Sequence, residues 1–205
     1  MSFRTEQKLT LNLYQLESMR RHLSNLDCKE LHPKREINSL YFDTFQLKSF
    51  VESEEGLQPR KKIRVRDYGT KTRQLECKFS TVEGRFKTTE KISEDYFLSI
   101  SKNGMLDTFY GLLSPIVWIS YEREYFFIGP VRVTIDTKLS FKKFNSSVGV
   151  PVENFSVMEL KVGAVNVGNQ LDSLFPFHKT RYSKYSEAIK ALTQEGILLP
   201  ISSIQ

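Results

Sequence analysis

The chain has 205 residues, with 30 Lys and Arg against 24 Asp and Glu, a net charge of +6 and a pI near 9.2. This size suits one all-β domain, residues 1–205, with a substantial core, and the basic balance favours an anionic partner such as phosphate chains, nucleic acid or acidic lipid without choosing among them. The N-terminus MSFRTEQK lacks a leader's apolar run, no stretch approaches the roughly 20 apolar residues of a membrane span, and two cysteines without CxxC or His/Cys zinc spacing point to free thiols in a reducing compartment; the chain therefore reads as soluble and cytoplasmic.

In chain order, Phe3 to Thr10 reads as a first strand with Arg4, Glu6 and Lys8 on one face. Leu13, Leu16, Met19, Leu23 and Leu26 recur at helical spacing, predicting a helix over 13–26 whose polar face, with Arg20, Arg21 and His22, is solvated. Pro33 bars helix, and Ile37 to Asp43 reads as a second strand. A short helix over 46–54 closes at Gly56, and strands follow over 61–68, 73–80 and 86–92 between the Gly69 and Gly84 turns. Apolar stripes through Phe97, Ile100, Met105 and Leu112 predict helix over 95–113, broken at Asn103 and Gly104. Val117 to Ile128 and Val131 to Phe141 form a hairpin about Gly129 and Pro130. Asn145 to Asn154 reads as a loop, Ser156 to Val162 as the last strand, and Ser183 to Leu192 as a final helix just after the basic run His178, Lys179, Thr180, Arg181.

Charge is distributed along these strands with period two. Lys62, Arg64 and Arg66 alternate with Ile63 and Val65; Glu76 and Lys78 with Leu75, Cys77 and Phe79; Arg132, Thr134, Asp136 and Lys138 with Val131, Val133 and Ile135; Glu159 and Lys161 with Met158, Leu160 and Val162. Strand side chains point alternately to opposite faces, so each segment has one apolar and one charged face. A solvated outer face is one way to accommodate this pattern. About eight such strands with helices outside instead suggest a mainly β, α+β fold: a closed eight-stranded antiparallel barrel, whose charged interior is suited to holding a ligand.

Cations mixed with carboxylates suit phosphoryl chemistry, which needs positive charge on phosphate oxygens and a bridging divalent metal. Mg²⁺ or Mn²⁺ takes a carboxylate or two, completed by substrate phosphates and water. Glu159 is the first candidate for that ligand, with Glu6, Glu76 and Asp136 below it; each of these four could instead neutralise its i+2 lysine. His22, His32 and His178 share no motif, so histidine catalysis is not expected. Trp118, Tyr121, Tyr125 and Phe127 read as packing residues rather than nucleic-acid platforms.

RTEQK (4–8), SLYFDT (39–44), KIRVRDY (62–68), LECK (75–78), YERE (121–124), RVTID (132–136), MELK (158–161) and RYSKY (181–185) occur in an order that resembles the VTC (vacuolar transporter chaperone) polyphosphate polymerase domain, a branch of the triphosphate tunnel metalloenzymes. The resemblance implies a tunnel that takes ATP and inorganic polyphosphate, uses Mn²⁺ or Mg²⁺, and moves the terminal phosphoryl group of ATP onto a growing polyphosphate. It implies Lys8, Arg64, Arg66, Lys78, Arg123 and Lys184 as phosphate-coordinating cations, Glu159 as metal ligand, and Tyr121 and Ser183 as hydrogen-bond donors. Lys91 or Lys87 supplies a further cation, and Arg132, Lys161 and Arg181 are additional candidate substrate contacts. Fungal members add an inositol-phosphate-sensing SPX domain and membrane helices, absent from this sequence, which looks like the stand-alone prokaryotic form and leaves room for a membrane-protein partner. The first strand has fewer acidic residues than the ExExK signature of related triphosphatases, which weakens a hydrolase reading. A tunnel triphosphatase and a non-catalytic polyphosphate-binding module are the alternatives, and nucleic acid is not an expected partner.

Overall fold

The computed structural model describes residues 5–69, 72–163, 174–175 and 177–198. In chain order it contains β1 (Thr5–Leu11), α1 (Leu13–Asn25), β2 (Lys29–Asp43), α2 (Lys48–Glu55), β3 (Arg60–Asp67), β4 (Arg73–Thr81), β5 (Gly84–Ile92), α3 (Glu94–Asn103), β6 (Met105–Asp107), β7 (Gly111–Ile128), β8 (Val131–Lys143), β9 (Gly149–Pro151), β10 (Ser156–Val162) and α4 (Lys184–Gln194). The strands hydrogen-bond in the order β1-β10-β8-β7-β2-β3-β4-β5, with β6 added to β7 and β9 to β8.

The mainly β, antiparallel reading with accompanying helices stands, but the closed eight-stranded barrel does not. The order is open, with β1 and β5 at its ends, and among the described residues no ladder joins them. Each end has a local reason. From Arg85 to Lys91, β5 is exposed and carries Arg85, Lys87, Glu90 and Lys91, the charged dress of an edge strand, which among the described residues pairs only with β4. Beside β1, the segment before α4 takes the place a strand would fill: the Thr180 N–H donates to the Lys8 carbonyl at 2.8 Å, and Lys8 Nζ donates to the Tyr182 carbonyl at 3.0 Å.

The chain divides into two compact units. The first comprises residues 1–36, 121–139 and 152–182, the second residues 37–120, 140–151 and 183–205. In the first, β1, β10 and β8 turn Leu9, Leu11, Met158, Leu160, Val162, Val131, Val133 and Ile135 to one face, and α1 covers it with Leu16, Met19 and Leu23. Those three recur at the 3.6-residue period that gives a helix one apolar side. A reciprocal capping box starts α1: the Gln15 N–H donates to Asn12 Oδ1 at 2.8 Å and the Asn12 N–H to Gln15 Oε1 at 2.9 Å. Arg20 is not solvated as expected but makes a two-pronged pair with Glu124 at 3.2 and 2.7 Å, and the ring of His22 lies edge-on to Phe175 and Phe177.

In the second unit the odd-even pattern works the same way. Leu40, Phe42, Ile63, Val65 and partly buried Leu75 and Cys77 form the apolar face, under Phe97 and Ile100 of α3 with Trp118 edge-on to Phe97. Both cysteines are free thiols.

Three elements differ from expectation. β2 begins at Lys29, running through Pro33; its ladder to β3 involves only Asn38 to Phe42, so the proline sits where no β3 hydrogen bond is lost. The helix expected to reach residue 113 stops at Asn103: Gly104, at φ +77°, turns the chain into β6, and Asp107 Oδ1 accepts the Phe109 and Tyr110 N–H groups to build the turn into β7. The loop expected over 145–154 contains β9, paired with Ser140 to Lys142 of β8.

Candidate functional site

In each unit helices cover the apolar face of the strands, and the opposite face holds the charge. In the second unit, β3, β4 and β5 set three rows of cross-strand neighbours on one face: Lys62, Lys78 and Lys87; Arg64, Glu76 and Thr89; Arg66, Gln74 and Lys91. Tyr41 and Ser39 of β2 extend the second and third rows. Glu76, buried at 3% exposure, is the hub. Arg64 Nε donates to Glu76 Oε2 at 2.7 Å, Lys87 Nζ to Oε1 at 2.6 Å, and Arg66 Nη1 lies 3.5 Å from Oε1. Burial works against the charge of Glu76, but Arg64 and Arg66 with Lys87 outweigh it and bring its pKa down to about 2. Lys62, Lys78 and Lys87 stand in direct register as a row of cations, with Lys87 paired to Glu76.

The N-terminus of α4 belongs to the same unit. Its N-cap, Ser183, accepts from the Ser186 N–H, and Lys62 Nζ donates to Ser183 Oγ at 2.8 Å. Lys184 opens the helix; burial pushes the Tyr41 phenol up, but the charges of Arg64 and Arg66 and the Arg64 hydrogen bond, with a smaller contribution from Lys184, bring its pKa below the ordinary value. Thus Arg64, Arg66, Lys78, Ser183 and Lys184, five of the sequence-derived candidates, belong to one unit. Lys91 is on the same face but exposed on β5, and Lys87 rather than Lys91 reaches Glu76.

The first unit has its own cluster. Lys8 of β1, Glu159 of β10 and Thr134 of β8 form one cross-strand row, and Glu6, Lys161 and Arg132 the next. Glu159, 8% exposed, has Lys161 Nζ at 2.8 Å. Burial again raises the pKa of the carboxyl, yet Lys161 and Lys8, a hydrogen bond shared with Glu6 and the Arg123 charge hold it well below the usual carboxylate range. Arg123 itself is clamped by Asp136, fully buried, through Nε to Oδ1 at 2.5 Å and Nη2 to Oδ2 at 2.7 Å, and lies over the buried Tyr121 ring, 5.2 Å from its centroid. Arg132 lies over Tyr125 at 5.8 Å and is exposed; Arg181 is exposed as well.

This geometry sorts the four candidate carboxylates. Glu76 and Asp136 are committed to arginines; Glu76 also takes Lys87 from the neighbouring strand, and Lys138 pairs with Glu122. Glu159 and Glu6 do take their i+2 lysines, at 2.8 and 3.5 Å, and they also share a hydrogen bond with each other. Among the described residues no three His, Cys, Asp or Glu side chains gather as a metal cage. A Glu159–Glu6 pair therefore fits a hard cation that keeps water and substrate phosphates in its shell. Sequence reasoning passed over Lys62 as a site residue, although it stands in the KIRVR alternation, and over Tyr41 and Asp43, which read only as strand residues of SLYFDT.

The antiparallel sheet with its packed helices is a fold that solved structures share. A candidate adenylate cyclase from Vibrio parahaemolyticus superposes with a TM-score of 0.51 at 15% identity, covering 94% of this chain and 87% of its own. Another from Bacillus halodurans gives 0.52 at 12%, covering 96% and 94%, and a protein from Pyrococcus horikoshii gives 0.56 at 13%, covering 91% and 99%. No curated protein matches the sequence. The VTC domain model matches residues 3–193, so the chain belongs to the VTC family, and with it to polyphosphate- or triphosphate-related function. Among the described residues no helix is long and apolar enough to cross a membrane.

Proposed function

We propose that this protein is a polyphosphate polymerase. A terminal oxygen of the growing chain attacks the γ-phosphorus of ATP, a new P–O–P bond forms, and the bond from the γ-phosphorus to the β–γ bridging oxygen breaks, its electron pair leaving with ADP. The observation that carries the reading is the convergence of Lys62, Lys78 and Lys87 with Arg64 and Arg66 on one sheet face, a run of cations in cross-strand register that suits the successive oxygens of a phosphate chain. Arg64, Arg66, Lys78 and Lys184 bind phosphate oxygens in the second unit, Lys91 adds charge at its exposed strand, and Ser183 donates a hydrogen bond. In the first unit Lys8 and Arg123 serve the same role, with Tyr121, Arg132, Lys161 and Arg181 as supporting contacts. Glu159, with Glu6 beside it, would hold Mn²⁺ or Mg²⁺, which would supply positive charge for the phosphate oxygens.

The decisive assay incubates the purified protein with ATP, a short polyphosphate primer and Mn²⁺ or Mg²⁺, and resolves polymer, ADP and orthophosphate. Chain growth matched by ADP supports the reading. Orthophosphate without polymer makes the protein a triphosphatase, and polyphosphate binding without turnover makes it a binding module. Glu159→Gln is expected to abolish metal-stimulated turnover, and Lys184→Ala to lower it at least tenfold, the scale of one lost charge-assisted contact. Full activity in both variants overturns the residue assignments.

A further inference from the structure

The two motifs SLYFDT and RYSKY are far apart in the chain, yet Tyr41, Asp43 and Tyr185 meet in the second unit. The Tyr185 ring stacks on Tyr41 at 5.0 Å with an interplanar angle of 10°, and its hydroxyl donates to Asp43 Oδ2 at 2.6 Å. Asp43 is fully buried and takes three more donors: the Thr44 and Ser49 N–H groups on Oδ1 at 2.7 and 2.9 Å, and the Phe50 N–H on Oδ2 at 3.0 Å. One carboxylate thus ties the start of α2 to the first turn of α4. Tyr41 faces the cations as well, since Arg64 Nη1 donates to its hydroxyl at 2.5 Å. Lys190 to Glu54, at 2.5 Å, joins the same two helices one and a half turns further along α4.

A hydrogen bond that only stabilised the fold could sit anywhere in α4. This one is on the residue adjoining Lys184, and two positions from Ser183, which receives Lys62. We propose that Asp43 and Tyr185 form a clasp that positions Lys184 for phosphate, making both of them positioning residues for the anion rather than ligands of it. Lysine has a long stem with several rotatable bonds, so its charge is fixed in place only if its backbone is. The clasp supplies that fixing through a rigid ring whose hydroxyl has one buried acceptor.

The inference rests on the phosphate-binding role proposed for Lys184, and a double-mutant cycle separates the two. The full chain, Tyr185→Phe, Lys184→Ala and the double variant are titrated calorimetrically with inorganic tripolyphosphate, with melting followed in parallel. Tyr185→Phe keeps the stacked ring and removes only the hydroxyl. The clasp predicts about tenfold weaker binding from Tyr185→Phe in the parent but less than twofold in the Lys184→Ala background. A purely structural role predicts the same melting shift and the same affinity loss in both backgrounds. Equal affinity losses, or no loss from Tyr185→Phe while Lys184→Ala weakens binding, overturn the clasp and leave the phosphate site standing. Unchanged binding in Lys184→Ala, or none in the parent, overturns the role of Lys184 and the clasp with it. Asp43→Asn, run through the same cycle, provides the test if Tyr185→Phe does not fold.

Discussion

Glu76 and Asp136 show why a buried carboxylate among arginines is a poor metal ligand and a good organiser of cations. With Arg64, Arg66 and Lys87 around it, Glu76 stays ionised down to a pKa of about 2. A carboxyl group depressed in the folded state and near its ordinary value of about 4.3 in the unfolded chain adds stability above that ordinary value, which is lost as pH falls toward 2. Glu76→Gln should therefore lower the urea-unfolding free energy at pH 7 by about 3 kcal/mol, leaving two arginines without their anion. The difference from the parent should narrow steadily between pH 4.5 and 2.5; a pH-independent difference means that Glu76 acts by shape and not by charge. Asp136→Asn should act differently, because its partner is a proposed phosphate ligand. The loss of one of two charge-assisted bonds frees Arg123 to rotate, and turnover in the ATP assay should fall on the order of 10- to 100-fold, the scale seen when an orienting partner is removed.

Among the elements, the turn from α3 into β6 depends most on one residue. At Gly104 the backbone has φ +77° and ψ −178°, a region essentially reserved for glycine, and an added Cβ would meet the Leu113 carbonyl oxygen at 2.6 Å. Gly104→Ala must push a paired strand as well as strain its own backbone, so it should cost more than about 2 kcal/mol in chemical denaturation. Asn12→Ala, which removes the α1 capping box but touches no paired strand, should cost about 1 kcal/mol by the same measurement. The same turn explains what the sequence hid. Strands with strict alternation, such as 62–66, 75–79 and 131–136, were legible because period two leaves no other reading. Phe97 through Leu112 keeps an apolar repeat compatible with a helix, and only the Asx turn of Asp107 reveals a hairpin there. The polar start of β2, KELHPKRE, offered no period at all, since its burial pattern is exposed throughout. At the site, the cations were legible from alternation and motif, but the Tyr185–Asp43 contact spans 142 positions and left no trace in local pattern.

For the whole chain, a net charge of +6 suggests that any polyanion will bind by bulk attraction, and composition cannot separate that from a built site. The register of the second unit can. Lys78 lies in the row with Lys62 and Lys87, on the charged face, whereas Lys102 is exposed near the end of α3, the helix that packs on the opposite, apolar face. Replacing either by alanine removes one positive charge and leaves the same net charge of +5, by subtracting one from +6. If bulk charge governs binding, the two variants should lose the same small amount of tripolyphosphate affinity at any one salt concentration. If the face governs it, Lys78→Ala should lose on the order of tenfold and Lys102→Ala almost nothing. Weaker anion binding by Lys78→Ala alone would tie the affinity to this face, and equal behaviour of the two variants would remove the lysine row as support for a polyphosphate polymerase.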